Sequence, residues 1–77
     1  MEVKYFGAVA EKTNCSNEKF PFSDISLAQL IANLHQKHSL ESIIYSVAVN
    51  QKIVPNLEDY ELQPNDVIAL LPPFAGG

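Results

Sequence analysis

The rhythm of hydrophobic and polar residues changes several times along the chain, and each change marks an element. From Glu2 to Gly7, "EVKYFG" alternates, with Val3 and Tyr5 on one face and Lys4 and Phe6 on the other. That period of two, carried by residues that fit a pleated surface, predicts a first strand. "AVAEKTNCSN" has room for a helical turn near Val9 and Glu11 before "TNCSN", whose short polar side chains bond nearby backbone and favour a turn. "EKFPFS" reads as a second, shorter strand, and Pro21 assigns it to an edge or a bulge because proline donates nothing to a ladder.

"DISLAQLIANLHQKHS" carries the strongest pattern: Leu27, Leu30, Ile31 and Leu34 recur on one helical face and His38 continues the stripe. Ser26 with Gln29 three residues later forms a capping box, in which each residue satisfies an amide the helix start leaves open. His35, Lys37 and His38 suit the negative end of the helix dipole. After the weakly patterned "LESIIY", the run "SVAVNQKIVP" sets Val47 and Val49, then Ile53 and Val54, on either side of Asn50-Gln51-Lys52. This predicts a hairpin without glycine, with Asn50 the best candidate for a positive φ.

In the polar connection "NLEDYELQPND", Leu57, Tyr60 and Leu62 are expected to pack underneath, and Gln63-Pro64-Asn65-Asp66 to turn. "VIALL", Val67 to Leu71, is a continuous apolar run, as in a strand buried on both faces at the middle of a sheet. A right-handed crossover through the long helix lets a late strand lie parallel to the first. The expectation is an α+β fold: a mixed sheet packed on one main helix in two layers.

Size and composition narrow the function more than the fold. A chain of 77 residues makes one domain, which buries roughly 60% of the surface its unfolded form exposes. With 47% hydrophobic and 18% charged residues it carries enough apolar surface to fold. The net charge is −4, there is no arginine, and Lys4, Lys12, Lys19, Lys37 and Lys52 stand singly. Nucleic acid, bound through clustered cations that release counterions, is not an expected partner. Glu58, Asp59, Glu61 and Asp66 could steer a basic partner or simply keep the surface solvated.

Cys15 is the lone cysteine, so no internal disulfide is expected and no Cys/His cluster arises for a metal. The start has no leader pattern, and no apolar run approaches the ~20 residues of a membrane span. A cytoplasmic protein with no membrane partner is expected. Catalytic groupings are sparse as well. His35 and His38 have no carboxylate or cysteine at ligand spacing and read as surface residues near a helix end. Ser26 is better explained as a cap than as a nucleophile, and Cys15 has only Lys12 and Lys19 nearby to favour a thiolate.

The end of the chain, "LLPPFAGG", is the exception. Pro72 and Pro73 fix φ and remove two donors, so the chain leaves the sheet extended. Six residues from Pro72 reach at most ~20 Å. Phe74 offers an apolar anchor, and Gly76 and Gly77 are slim enough to carry the terminal carboxylate into another protein's active site. Gly-Gly alone is better read as a frayed end. A buried strand, two prolines and an aromatic leading straight into it favour a carried functional group: a carboxylate that, once adenylated, takes a sulfur nucleophile. The body is accordingly residues 1–71 and the extended tail 72–77.

"VKYFGAVAEKT", the single long helix, "VAVNQKIV" and "LQPNDVIALLPPFAGG" together resemble the small subunit of molybdopterin synthase, over essentially the whole chain. The Pro-Pro-hydrophobic-x-Gly-Gly end is the most specific part, since the sulfur carriers for thiamine share Gly-Gly and usually lack the double proline. The resemblance implies a ubiquitin-like β-grasp fold and a sulfur carrier in molybdenum cofactor biosynthesis. It implies that an ATP-dependent activating enzyme adenylates the Gly77 carboxylate and that a sulfur donor makes it a thiocarboxylate. The tail would then enter the large synthase subunit, in a heterotetramer of two small and two large subunits. There sulfur passes to cyclic pyranopterin monophosphate, giving molybdopterin.

No cofactor bound by the chain itself is implied; ATP belongs to the activating enzyme. The family's partner-binding positions fall on Phe6, Ile53 and Leu71, with Pro72, Pro73, Phe74 and Ala75 leading to Gly76 and Gly77. Two departures touch partner binding and turn geometry: Ala10 precedes Glu11 where many relatives have arginine, and Pro64-Asn65-Asp66 replaces a common Asp-Gly-Asp. A sulfur carrier for thiamine or another pathway, and a ubiquitin-like protein modifier joined to lysines, are the alternatives.

Overall fold

The computed structural model describes residues 1–73. Five strands form one mixed sheet: β1 (Glu2–Tyr5), β2 (Asn17–Lys19), β3 (Ser46–Val49), β4 (Lys52–Ile53) and β5 (Val67–Leu71). Their order is β2-β1-β5-β3-β4. β1 and β5 run parallel, with Val3 opposite Ile68 and Tyr5 opposite Leu70, and the other pairings are antiparallel. The long apolar strand therefore lies at the centre and beside the first strand, as the crossover argument requires.

Two helices accompany the sheet, α1 (Gly7–Thr13) and α2 (Leu27–His38). The expected helical turn near Val9 is a full short helix. Gly7 opens it at φ +58, and Asn14 closes it in the left-handed region, donating its N–H to the Ala10 carbonyl at 2.9 Å. Asparagine tolerates that conformation better than most residues, because its short side chain bonds locally.

α2 runs the length of the apolar stripe that announced it, Leu27 to His38, and it begins where the cap dictates. Ser26 Oγ accepts from the Gln29 N–H at 3.1 Å. The reciprocal half of the capping box is not formed, because the Gln29 side chain runs along the helix and donates to Asn33 Oδ1 at 3.0 Å. Leu27, Leu30, Ile31 and Leu34 are buried against Val3, Tyr5, Val47, Val49, Ile68 and Leu70 on one face of the sheet. Val9, Leu40 and Leu62 complete this core. Leu40 is fully buried although its segment shows no periodicity, since a single residue at the end of a helix leaves no repeat to read.

The second strand lies earlier than the pattern in "EKFPFS" suggests. Pairing runs over Asn17–Lys19, with Lys4 opposite Asn17, and the Phe20 N–H makes a last bond to the Met1 carbonyl at 2.9 Å. Pro21, which cannot donate, stops the ladder there, and its expected place at a sheet edge holds.

Between edge and helix, Glu18 receives three donors. The Tyr5 hydroxyl and His38 Nε2 reach Oε1 at 2.7 and 2.6 Å, and Lys37 reaches Oε2 at 2.7 Å. Burial alone would raise its pKa. The hydrogen bonds from Lys37, Tyr5 and His38, with the lysine charge, outweigh it and hold the carboxyl down at about 2. His38 is thus partly buried and structural, unlike the surface residue expected, and His35 meets the Tyr45 hydroxyl.

The hairpin turns through Asn50 (φ 51) and Gln51 (φ 70). Two consecutive positive values are the mark of a type I′ turn, whose twist matches the strands. Asn50 also clamps the hairpin to β5: its Oδ1 accepts from the Val67 N–H at 3.0 Å, and its Nδ2 donates to Asp66 Oδ1 at 2.9 Å. Asp66 Oδ2 in turn accepts from the Gln63 N–H at 2.9 Å and closes the turn before β5. Asp66 is buried, at 6% exposure, and so is no part of a steering surface.

Candidate functional site: an open sheet face beside the tail

Alternation along the strands gives the sheet a second face that no helix covers. β5 shows it most directly. Ile68 and Leu70 are fully buried while Val67, Ala69 and Leu71 are only half-buried. The continuous apolar run therefore does not mean burial on both sides within this chain. It means a core on one side and an uncovered apolar surface on the other.

Register assembles that surface. Lys4, Ala69, Ala48 and Ile53 stand opposite one another in a row across four strands. The two alanines at the centre are small, and larger residues surround them. The result is a groove of about 600 Å³ lined by Lys4, Phe6, Ala48, Ile53, Ala69 and Leu71, with Val67, Asn50 and Gln51 closing one end. Phe6 is 43% exposed and Ile53 45% exposed. Large apolar side chains left this open around a concave patch characterise a surface shaped for a partner.

Phe6, Ile53 and Leu71, expected at a partner interface, are thus brought together from three different strand ends onto one groove. The tail begins at its edge. The Phe6 N–H donates to the Leu70 carbonyl at 3.1 Å, which ties the end of β1 to the end of β5. Pro72 then lies over Gly7: a Cβ on Gly7 would come within 3.0 Å of Pro72 Cγ. Gly7 thereby both turns the chain into α1 at a positive φ and clears the space in which the tail's first proline sits. Pro72 and Pro73 are exposed. Phe74, Ala75, Gly76 and Gly77, expected to carry the docking and the chemistry, lie outside the described residues.

Sequence reasoning passed over Lys4, Ala48, Ala69 and Gly7. The signal for Lys4 was present, since alternation in β1 puts it on the face of Phe6. The alanines offered none, because a small residue in an apolar run looks like core until its register is known. Cys15 is half-buried, with Sγ 3.5 Å from Thr13 Oγ1, and lies away from the groove.

A family model for the ThiS family matches residues 3–77. The chain belongs to the ThiS family. It is a ubiquitin-like sulfur carrier, and the mixed sheet and helices are those of the β-grasp fold. A chain from the complex of subunits 1 and 2 of molybdopterin-converting factor from Helicobacter pylori is 33% identical to it, with a TM-score of 0.71 over 99% of this chain and 96% of that one.

Two further structures share the fold. A putative molybdopterin converting factor, subunit 1, from Pyrococcus furiosus is 22% identical, with a TM-score of 0.81 over 95% of each chain. SAMP1 from Haloferax volcanii is 24% identical, with a TM-score of 0.78 over 99% of this chain and 97% of that one. Among curated protein sequences none matches the chain.

Proposed function

We propose that this family member carries sulfur for molybdopterin synthesis as the small subunit of molybdopterin synthase. The observation that carries the reading is the 33% identity, over nearly the whole of both chains, with a chain of the Helicobacter pylori molybdopterin-converting-factor complex. The site supports it physically. A partner docked on the groove of Phe6, Ile53 and Leu71 meets the sheet beside the exit of the tail, so that docking and delivery of the C-terminus are one event.

In this reading the Gly77 carboxylate attacks the α-phosphorus of ATP in an activating enzyme, releasing pyrophosphate and forming an acyl-adenylate. Sulfide then displaces AMP and leaves the thiocarboxylate directly. Where the donor is a persulfide, its outer sulfur displaces AMP to give an acyl disulfide, which a thiol cleaves to the thiocarboxylate with release of a disulfide. Gly76 and Gly77 enter the large subunit, two of which pair with two small subunits, and the sulfur passes to cyclic pyranopterin monophosphate. The chain itself binds no cofactor, and the cycle runs in the cytoplasm. The role of this chain is positional, since it presents an acyl group and supplies none of the acid-base groups.

Intact mass tests this reading. After incubation with the cognate activating enzyme, ATP and a sulfur donor, the chain should gain the mass difference of one oxygen replaced by sulfur, located at Gly77. That product, and not the untreated protein, should restore dithiolene formation by the large subunit. An unchanged mass removes the reading. A thiocarboxylate that supports thiazole formation but not dithiolene formation moves the carrier to the thiamine pathway, and lysine-linked adducts dependent on Gly77 would make it a protein modifier.

A further inference from the structure

The groove is lined by apolar side chains with the neutral polar Asn50 and Gln51 at one end, and it carries charge at one point. Of the nine residues that line it, Lys4 alone carries a charge. Its neighbours do not use it. Glu2, two residues away on the same face, accepts from Asn17 Nδ2 at 2.7 Å. Among the described residues the ion pairs are those of Glu18 with Lys37 and His38, on the opposite face of the sheet. Lys4 is exposed and stands directly across from Ala69 at the centre of the groove. A protein of net charge −4 thus presents its apolar docking face with a cation in it, while Glu58, Asp59 and Glu61 lie on the connection beside α2.

We propose that the groove receives an apolar side chain of a partner protein flanked by a carboxylate, and that Lys4 is the cation that takes this carboxylate. The inference deepens the docking role given above and rests on it. Aliphatic or aromatic surface fills the depression over Ala48 and Ala69 between Phe6, Ile53 and Leu71, and the ion pair sets its orientation. A like charge placed there would be rejected, which makes Lys4 a determinant of which partner docks. The lysine stem adds apolar contact along the groove wall.

A probe of the same chemistry tests this without sulfur transfer. The labelled full-length chain is titrated with 4-phenylbutyrate and, separately, with its neutral amide, and amide resonances are followed by NMR. Both ligands should perturb Phe6, Ala48, Ile53 and Ala69. The acid should bind about threefold more tightly than the amide at low salt, the range of an exposed ion pair. Lys4→Gln and 0.5 M salt should each abolish that preference without removing the binding.

Equal binding of acid and amide, no binding of either, or shifts that map elsewhere would overturn the proposal. So would shifts of the Phe74–Gly77 resonances caused by Lys4→Gln without any ligand, since the chain's own terminus would then hold the cation. With the large synthase subunit, Lys4→Glu should weaken association at least tenfold, and a carboxylate-to-lysine change on the partner should restore it; unweakened association would also overturn the proposal. Loss of the acid preference with thiocarboxylation intact refutes the groove chemistry alone. Intact preference with no thiocarboxylation refutes the carrier reading alone.

Discussion

Gly7 serves two requirements with one missing atom. Its φ of +58 lies in the region that costs an L-residue roughly 1–2 kcal/mol. The place where its Cβ would stand is 3.0 Å from Pro72 Cγ. Gly7→Ala should therefore lower unfolding stability by about 2 kcal/mol, a backbone share and a contact share together. The two shares separate in a double-mutant cycle followed by urea unfolding. Pro72→Ala should return part of the loss in the Gly7→Ala background, because only the contact with Cγ disappears. Additive effects of the two substitutions would show that Pro72 does not rest on Gly7. The same contact holds Pro72, from which the proposed carrier end departs, so Gly7→Ala should also slow thiocarboxylation more than its effect on the folded fraction explains.

At the scale of elements, Glu18 joins the edge strand β2 to the end of α2, through Lys37 and His38, and to β1 through Tyr5. Its carboxyl titrates at about 2 in the folded chain, below the ordinary value of 4.5. A group whose folded pKa is depressed contributes stability that is full above its unfolded pKa and is lost as pH falls toward the folded one. The wild type should therefore lose stability relative to Glu18→Gln between pH 4.5 and 2. Urea midpoints of the two proteins compared across that window check it. Parallel pH profiles would mean that the three donors do not hold the charged form. Lys37 is half exposed, so added salt should shrink the lysine's share and leave the shares of Tyr5 and His38.

The same elements show what the linear pattern could and could not carry. α2, the hairpin and β5 were legible because their apolar periods are long or their turns distinctive. β2 was displaced because three residues are too few for a period, and Pro21 marks where a ladder stops without saying where it began. Of the site, Phe6, Ile53 and Leu71 were named through family resemblance, and their meeting on one groove follows from register. Register is also why "VIALL" misled: Val67, Ala69 and Leu71 look like core, and only the pairing of β5 between β1 and β3 places them on the uncovered face. Asp66 misled in the other direction, since a carboxylate in a turn reads as solvated until its three donors, Asn50 Nδ2, the Gln63 N–H and the Tyr60 hydroxyl, are seen.

Across the whole molecule the sheet divides labour between its faces. One face, with α2 and α1, holds the core and so the stability. The other holds Phe6, Ile53 and Leu71 and, in the proposed reading, the docking, and the central strand ends where the tail begins. Stability and partner binding should then be separable by substitutions at positions that adjoin in the sheet, since the Phe6 N–H bonds the Leu70 carbonyl. Leu70→Ala removes a fully buried side chain and should cost about 2–5 kcal/mol. Phe6→Asp tests the other face. Phe6 is the residue before α1, extended, with no side-chain cap of its own, and aspartate is among the best residues at that position. The loss of a half-exposed aromatic is therefore offset in part by a new cap, and unfolding stability should stay within about 1 kcal/mol of wild type. Association with the large subunit should fall at least a hundredfold, because a carboxylate then faces an apolar partner surface. Unfolding curves and titration calorimetry on the two variants decide the matter: a Phe6→Asp protein that is unstable, or one that binds normally, would mean that the two faces are not independent.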